Sequence, residues 1–176
     1  MSPNNELETD RLQLRQFRYE DIDRLAEIFG NSEVMRYVSS GVQTKEQTKT
    51  RIGLLLKGWE ERGFGIWAIV HKQTDQLMGR GGLVYLDGTP EVELGYLLDQ
   101  PYWNQGFATE FSCAALRFGF EQVKLDRIVA IAQPENIASQ RVMQKVGMTF
   151  EKNAHYYNTD VVYYAISKHE FYKLYG

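Results

Sequence analysis

The stretch from Glu91 to Glu110 constrains the fold of this chain more than any other. Glu91-Val92-Glu93-Leu94-Gly95-Tyr96-Leu97-Leu98 reads as a strand, Asp99 to Trp103 breaks it, and Asn104-Gln105-Gly106-Phe107-Ala108-Thr109-Glu110 opens a helix. Behind that opening Phe111, Ala115, Phe118 and Gln122 recur at helical spacing, and Cys113, Ala114, Leu116 and Phe120 widen the apolar surface. A helix so placed is buried and rigid. Its first N–H groups, which have no partner within the helix, and the positive end of its dipole can hold an anion without a basic side chain. Gly106 and Ala108 remove bulk where a pyrophosphate would approach. Small residues at a helix start equally serve close helix–sheet contact, so this turn alone leaves both readings open.

The flanking sequence supplies a sheet and more helices. Arg11 to Phe17 alternates polar and apolar residues, the period of a half-buried strand. Ile22, Leu25, Ala26 and Phe29 mark a first helix, and Thr44 with Gln47 forms a capping box for a second that carries Ile52, Leu55 and Trp59 and ends near Gly63. These two helices are expected to overhang a substrate site. Ile66 to Val70, Leu77 to Leu86 and Val92 to Leu98 read as an antiparallel meander separated by Gly, Asp and Pro. Then follow a helix from about Gly106 to Val123, a strand at Arg127 to Ala132, a helix from Asn136 to Val146, and strands at Met148 to Glu151 and Asp160 to Ser167. The composite is an α/β (α+β) fold. With no repeat, low-complexity tract or linker, residues 7–172 are expected to form one domain.

Bulk properties narrow the function. Hydrophobic residues make up 43% and charged ones 24%, the composition of a globular domain with room for one core. The net charge of −3, without a dense Lys/Arg cluster, argues against a nucleic-acid partner. One cysteine, Cys113, and three scattered histidines, His71, His155 and His169, offer neither a disulfide nor the ligand spacing of a metal site. The opening Met1-Ser2-Pro3-Asn4-Asn5-Glu6 lacks the features of an export signal, and no run approaches the roughly 18 apolar residues of a membrane span. The expectation is a cytoplasmic protein with no metal and no membrane partner.

Taken together and in order, Leu7-Glu8-Thr9-Asp10-Arg11-Leu12-Gln13-Leu14-Arg15, Glu93-x-Gly95-Tyr96, the Trp103 to Glu110 turn, and Asn136-x-x-Ser139 with Lys145-x-Gly147 resemble the GNAT superfamily of N-acetyltransferases. The branch they are most similar to is that of the ribosomal-protein alanine N-acetyltransferases. The resemblance covers most of the chain. It implies a mixed, mostly antiparallel sheet splayed between its fourth and fifth strands and flanked by about four helices, with acetyl-CoA as co-substrate and its pantetheine arm in the gap. On that model the backbone of Tyr96, Leu97 and Leu98 contacts pantetheine, and N–H groups of Gln105, Gly106, Phe107, Ala108 and Thr109 cradle the pyrophosphate. Asn136 and Ser139 line the thioester end.

Acetyl transfer to nitrogen requires a neutral amine, since an ammonium has no lone pair. By resemblance Glu93 is the base, acting through water, and Ser139 protonates the departing thiolate. Glu93 is otherwise a solvated strand carboxylate, and Asn136 is a good N-cap in its own right. The family often uses a tyrosine for the thiolate; here that position, four residues before Gly147, is Met143, which cannot donate. Tyr156 and Tyr157 are possible substitutes among 11 tyrosines. Trp103 also stands where many members carry Arg or Gln, which predicts moderate rather than very tight CoA binding. Gly147 is assigned only the left-handed end of its helix.

The resemblance implies a primary-amine acceptor, either a protein N-terminal α-amine or a small molecule. An α-amine is about a quarter neutral at pH 7.5 and a lysine only about 0.1%, so a modest apparatus favours α-amines slightly. The competing class is a non-catalytic acyl-CoA-binding module, suggested by Met143. A Rossmann or P-loop reading fails because neither glycine pattern surrounds Gly106. A homodimer is compatible with the sheet edges.

Overall fold

A computed structural model describes residues 5–176; Met1 to Asn4, part of the opening read above for an export signal, lie outside the described residues. Eight strands form one sheet in the order β1-β2-β3-β4-β5-β6-β8-β7. At one edge β1 (Leu7–Glu8), β2 (Leu12–Arg15), β3 (Ile66–His71), β4 (Gln76–Tyr85) and β5 (Val92–Leu98) run antiparallel to their neighbours. At the other, β6 (Arg127–Ala132) pairs with β8 (Thr159–Ser167), which in turn pairs with the edge strand β7 (Thr149–Tyr156).

The two halves meet at a parallel junction. β5 is in register with β4 from Gly79↔Leu98 to Tyr85↔Val92, and β6 with β8 from Arg127↔Ser167 to Ala132↔Val162. Between β5 and β6 the register consists of Glu93↔Val129 alone. Each strand follows the neighbour that holds it along its whole length, and strand twist carries the two apart beyond Glu93. This is the expected splay; the two-residue β1, which the alternating pattern does not reveal, makes the fourth and fifth expected strands β5 and β6.

Helices α1 (Ile22–Phe29) and α2 (Lys45–Arg62) cover one face, where Leu25, Ile28, Phe29 and Ile52 meet Ile66, Ala68, Val70 and Leu77. The other face carries α3 (Phe107–Glu121), α4 (Ile137–Lys145) and α5 (Lys168–Tyr175). Its centre is aromatic: Trp67 is fully buried, with ring centroids 5.1 Å from Trp59 and 5.0 Å from Phe118. Both indoles also satisfy their N–H groups, Trp59 on the Ile66 carbonyl at 2.9 Å and Trp67 on Asn5 at 2.7 Å, so their burial leaves no orphan donor.

The helix ends agree with the sequence. Thr44 and Gln47 form the reciprocal box at 2.8 and 3.2 Å, and Gly63 closes α2 at φ +74°. Gly147 ends α4 at φ +94°. Two features were not expected. A fifth helix, only eight residues long, follows β8, capped by the reciprocal box of Ser167 and Glu170. β7 extends to Tyr156 because Tyr157 and Asn158, at φ +51° and +60°, make a two-residue hairpin turn without glycine.

Gly81 of β4 lets α3 approach the sheet, since a Cβ there would lie 2.5 and 2.6 Å from the Phe111 ring. Gly81→Ala is therefore expected to cost about 1–3 kcal/mol through overpacking. Thermal and urea unfolding measure this, and an unchanged midpoint would contradict it.

Candidate active site

The start of α3 lies beside the split in the sheet. Asn104 and Gly106 both take left-handed conformations, at φ +57° and +81°, and Gly106 serves as N-cap with no side chain closing the helix. Glu110 is the first residue whose amide finds a partner in this turn, the Gly106 carbonyl at 3.0 Å. The N–H groups of Phe107, Ala108 and Thr109 accordingly remain unpartnered among the described residues, a concave donor set suited to a phosphate.

Arg11 frames this turn from 99 residues earlier. Its Nε bonds Glu110 at 2.7 Å, its Nη1 donates to the Gln105 carbonyl at 2.9 Å, and its guanidinium stacks 4.0 Å over Phe107. A Cβ added at Gly106 would lie 3.4 Å from Arg11 Nη2. A guanidinium thus borders the place where Trp103 offers none. Trp103 instead donates its indole N–H to the Leu98 carbonyl at 2.7 Å and ties the turn to the end of β5. Sequence reading missed Arg11 as a site residue because it counted only as part of a strand-like opening; the pairing is long-range and has no local signal.

Along the split, Tyr96, Leu97 and Leu98 pair with Gly81, Arg80 and Gly79 of β4 and have no register partner on β6. The Tyr96 ring packs edge-on to Phe111, with centroids 6.4 Å apart, and the Ser139 side chain comes near enough to its hydroxyl to act on its pKa. Burial raises the Tyr96 pKa, partly offset by Ser139, so the phenol stays protonated. Asn136 caps α4, its Oδ1 accepting from the Ser139 amide at 3.2 Å. Met143 is buried in the core beneath that helix. The structure therefore gathers the 96–98 edge, the 105–109 turn and Ser139 around one wedge, with Asn136 capping the helix that carries Ser139.

Glu93 stands at the closed end, opposite Val129. Its Oε2 accepts from the Tyr157 hydroxyl at 2.8 Å. Burial pushes its pKa up to about 7, against the opposing pull of the Tyr157 hydrogen bond and the Arg80 charge; Asp87 adds to the rise. Tyr157 is itself held by its amide on Asp87 at 2.6 Å, which links the β7–β8 turn to the β4–β5 loop. Tyr157, considered from sequence as a thiolate acid, thus partners the carboxylate instead, while Tyr156 packs on the Tyr163 ring. Glu91 is occupied differently, accepting from Tyr163 at 2.6 Å. Beside Glu93 the floor is clear: a Cβ at Gly95 would meet only Glu93 Oε1, at 3.9 Å.

The segment between α1 and α2 reaches across the sheet face. Tyr37 donates from its hydroxyl to the Glu135 carbonyl at 3.4 Å and accepts at its carbonyl from Gln133 at 3.3 Å. The overhang thus closes onto the loop that precedes α4. Among the described residues no group of three or more His, Cys, Asp or Glu could hold a metal, and no helix is long and apolar enough to cross a membrane.

This geometry has counterparts. Residues 11–149 match the family model described as acetyltransferase (GNAT) domain. The chain is 36% identical over 143 residues to the uncharacterized N-acetyltransferase YnaD of Bacillus subtilis, covering 81% of this chain and 82% of that protein. It superposes on the crystal structure of a GNAT-family acetyltransferase from Bacillus anthracis with a TM-score of 0.81, at 31% identity, covering 93% of this chain and 99% of the other. The ribosomal-protein-S5-alanine acetyltransferase of Vibrio fischeri shares the fold, with a TM-score of 0.74 at 20% identity over 93% of this chain and 96% of its own. A family model spanning most of the chain and a relative of this similarity together place it: the chain belongs to the GNAT acetyltransferase family.

Proposed function

We propose that this protein moves the acetyl group of acetyl-CoA directly to the nitrogen of a primary amine, with Glu93 as base and Ser139 as the proton source for sulfur. The observation that carries the reading is a carboxyl group, Glu93, at the closed end of a wedge whose other end is a helix start with free amide hydrogens; burial pushes the pKa of that carboxyl group up to about 7. Acetyl-CoA supplies the activated acyl thioester. The amide hydrogens of residues 105–109, bordered by Arg11, hold its diphosphate, and the unpaired edge of Tyr96, Leu97 and Leu98 binds the pantetheine arm.

Ionised Glu93, directly or through water, takes a proton from the acceptor ammonium over the clear floor at Gly95. The neutral nitrogen then attacks the thioester carbonyl; the C–N bond forms and the C–S bond breaks. Ser139 donates to the departing sulfur, and the second proton, shed by the nitrogen as the amide forms, returns through solvent to replace the one Ser139 gave. One amide and one thiol form, and one proton leaves through Glu93. Transfer is direct because Cys113 contacts Tyr175 of α5, at 3.8 Å, rather than the wedge. The acceptor is an N-terminal α-amine or a small-molecule amine.

Thiol release from acetyl-CoA across an amine panel tests the reading. Amine-dependent thiol is expected; cofactor binding without turnover would identify an acyl-CoA-binding module instead. Ser139→Ala should lower kcat about 10-fold or more with little change in KM for acetyl-CoA.

The rate should rise with pH about a midpoint near 7 as Glu93 ionises. Glu93→Gln should lower kcat by about 10²-fold or more and abolish that limb. Tyr157→Phe removes a hydrogen bond that lowers the Glu93 pKa, so the limb should move to higher pH. A limb indifferent to both changes would exclude Glu93 as the base.

Stability provides an independent readout. The folded-state pKa is raised from 4.5 to about 7, so the stability this group contributes at low pH is lost as pH rises through that window. Glu93→Gln should therefore melt above the parent at pH 8 and level with it at pH 4. Equal melting at both pH values would contradict the raised pKa.

A further inference from the structure

On the sheet face beneath α1 and α2, three neighbouring register pairs of β4 and β5 point the same way: Arg80↔Leu97, Gly82↔Gly95 and Val84↔Glu93. Arg80 and Glu93 therefore flank the clear floor at Gly95 from opposite ends, with about 13 Å between their positions along the strands. Several other arginines in this chain hold carboxylates: Arg11 with Glu110, Arg15 with Asp21, Arg24 with Asp99, Arg127 with Glu151. Among the described residues Arg80 has no hydrogen bond or ion pair and only the Phe29 ring as a cation–π neighbour, 5.7 Å away.

Nor is it sealed in. Arg80 is only partly buried, and among the described residues the buried side-chain atoms without partners, Arg62 Nε, His71 Nδ1 and Ser112 Oγ, include none of its nitrogens. Burial pushes its pKa down to about 10, and a second cation, Arg51 of α2, adds to this. Glu93 acts on it from a distance without an ion pair. Two like charges held together, one of them largely desolvated, form an arrangement that an anion would relieve. A guanidinium offers a planar fork that matches a carboxylate or phosphate.

We infer that the acceptor of this site is a small amine that carries its own anionic group, a carboxylate or phosphate, held by Arg80 with Arg51 behind it while the nitrogen lies at Glu93. This deepens, and rests on, the acetyltransferase reading. It sets amino-acid-like or aminoalkyl phosphate acceptors ahead of polyamines and amino sugars, and it accounts for a cationic patch in a chain whose net charge is −3.

The test compares α-amino acids, ω-amino acids of increasing chain length and aminoalkyl phosphates, each with its uncharged amide or alcohol counterpart, by kcat/KM. The parent should favour the anionic member of at least one pair by about 10-fold or more. In Arg80→Gln that preference should fall below about 3-fold, with partial recovery in Arg80→Lys. Arg51→Gln, an exposed change that leaves the core untouched, should reduce it to a lesser degree. Turnover with neutral or cationic amines as good as with anionic ones overturns the inference and leaves the acetyltransferase reading standing. The inference also fails if Arg80→Gln slows both members of every pair alike, since Arg80 would then act only through Glu93. If no amine releases thiol, the acetyltransferase reading fails. Calorimetric binding of the same pairs in the presence of CoA then decides the inference: anion preference that depends on Arg80 supports it, and its absence overturns it.

Discussion

Strands β5 and β6 touch at Glu93 and Val129 and then part, and the other features of the site are arranged around that parting. A parallel pair that continued would consume the backbone groups that face β6 between Gly95 and Leu97. Because it stops, these groups have no strand partner on that side, and the helix that begins nine residues after Leu98 aims its free amide hydrogens at the same opening. The aromatic core under Trp67 and the close seat of α3 on Gly81 hold both sides in place. The wedge is thus a property of two rigid half-sheets and not of a mobile loop.

Electrostatics divide this wedge into zones. The α3 start and Arg11 favour negative charge at one end, a buried neutral-leaning carboxyl group occupies the other, and Arg80, opposite Leu97 and with Arg51 acting on it, faces that carboxyl group across the floor at Gly95. Burial of the Glu93 carboxyl group raises its pKa into the range where a base can accept a proton and release it again near neutrality. That placement lowers stability at neutral pH, a trade found where buried titratable groups are kept for chemistry. Tyr157, fixed by Asp87, moderates the shift through one hydrogen bond.

Local patterns in the chain foretold the parts that local physics determines. The Thr44–Gln47 capping box, the Asn136 cap, the glycine helix ends, the alternation of the early strands and the strand–turn–helix at Glu91 to Glu110 all depend on residues a few positions apart, and the structure contains them. Arg11 against the α3 turn, Tyr157 on Glu93, Ser139 on Tyr96 and the unpaired Arg80 join residues from about 40 to about 100 positions apart, so no periodicity announces them. Tyr157 was weighed for a different task for that reason. Trp103 shows the limit from the other side: the turn has no basic side chain of its own at that position, and the guanidinium of Arg11 reaches the turn from the N-terminal strand region.

Hydrogen–deuterium exchange with and without CoA tests the central claim most directly. If the diphosphate is held by the start of α3 and the thiol arm by the free edge of β5, added CoA should slow exchange in residues 105–109 and 95–98, while β1 and β7 remain unchanged. Saturating CoA that leaves those two segments exchanging as before, or that protects a different surface, would contradict the account.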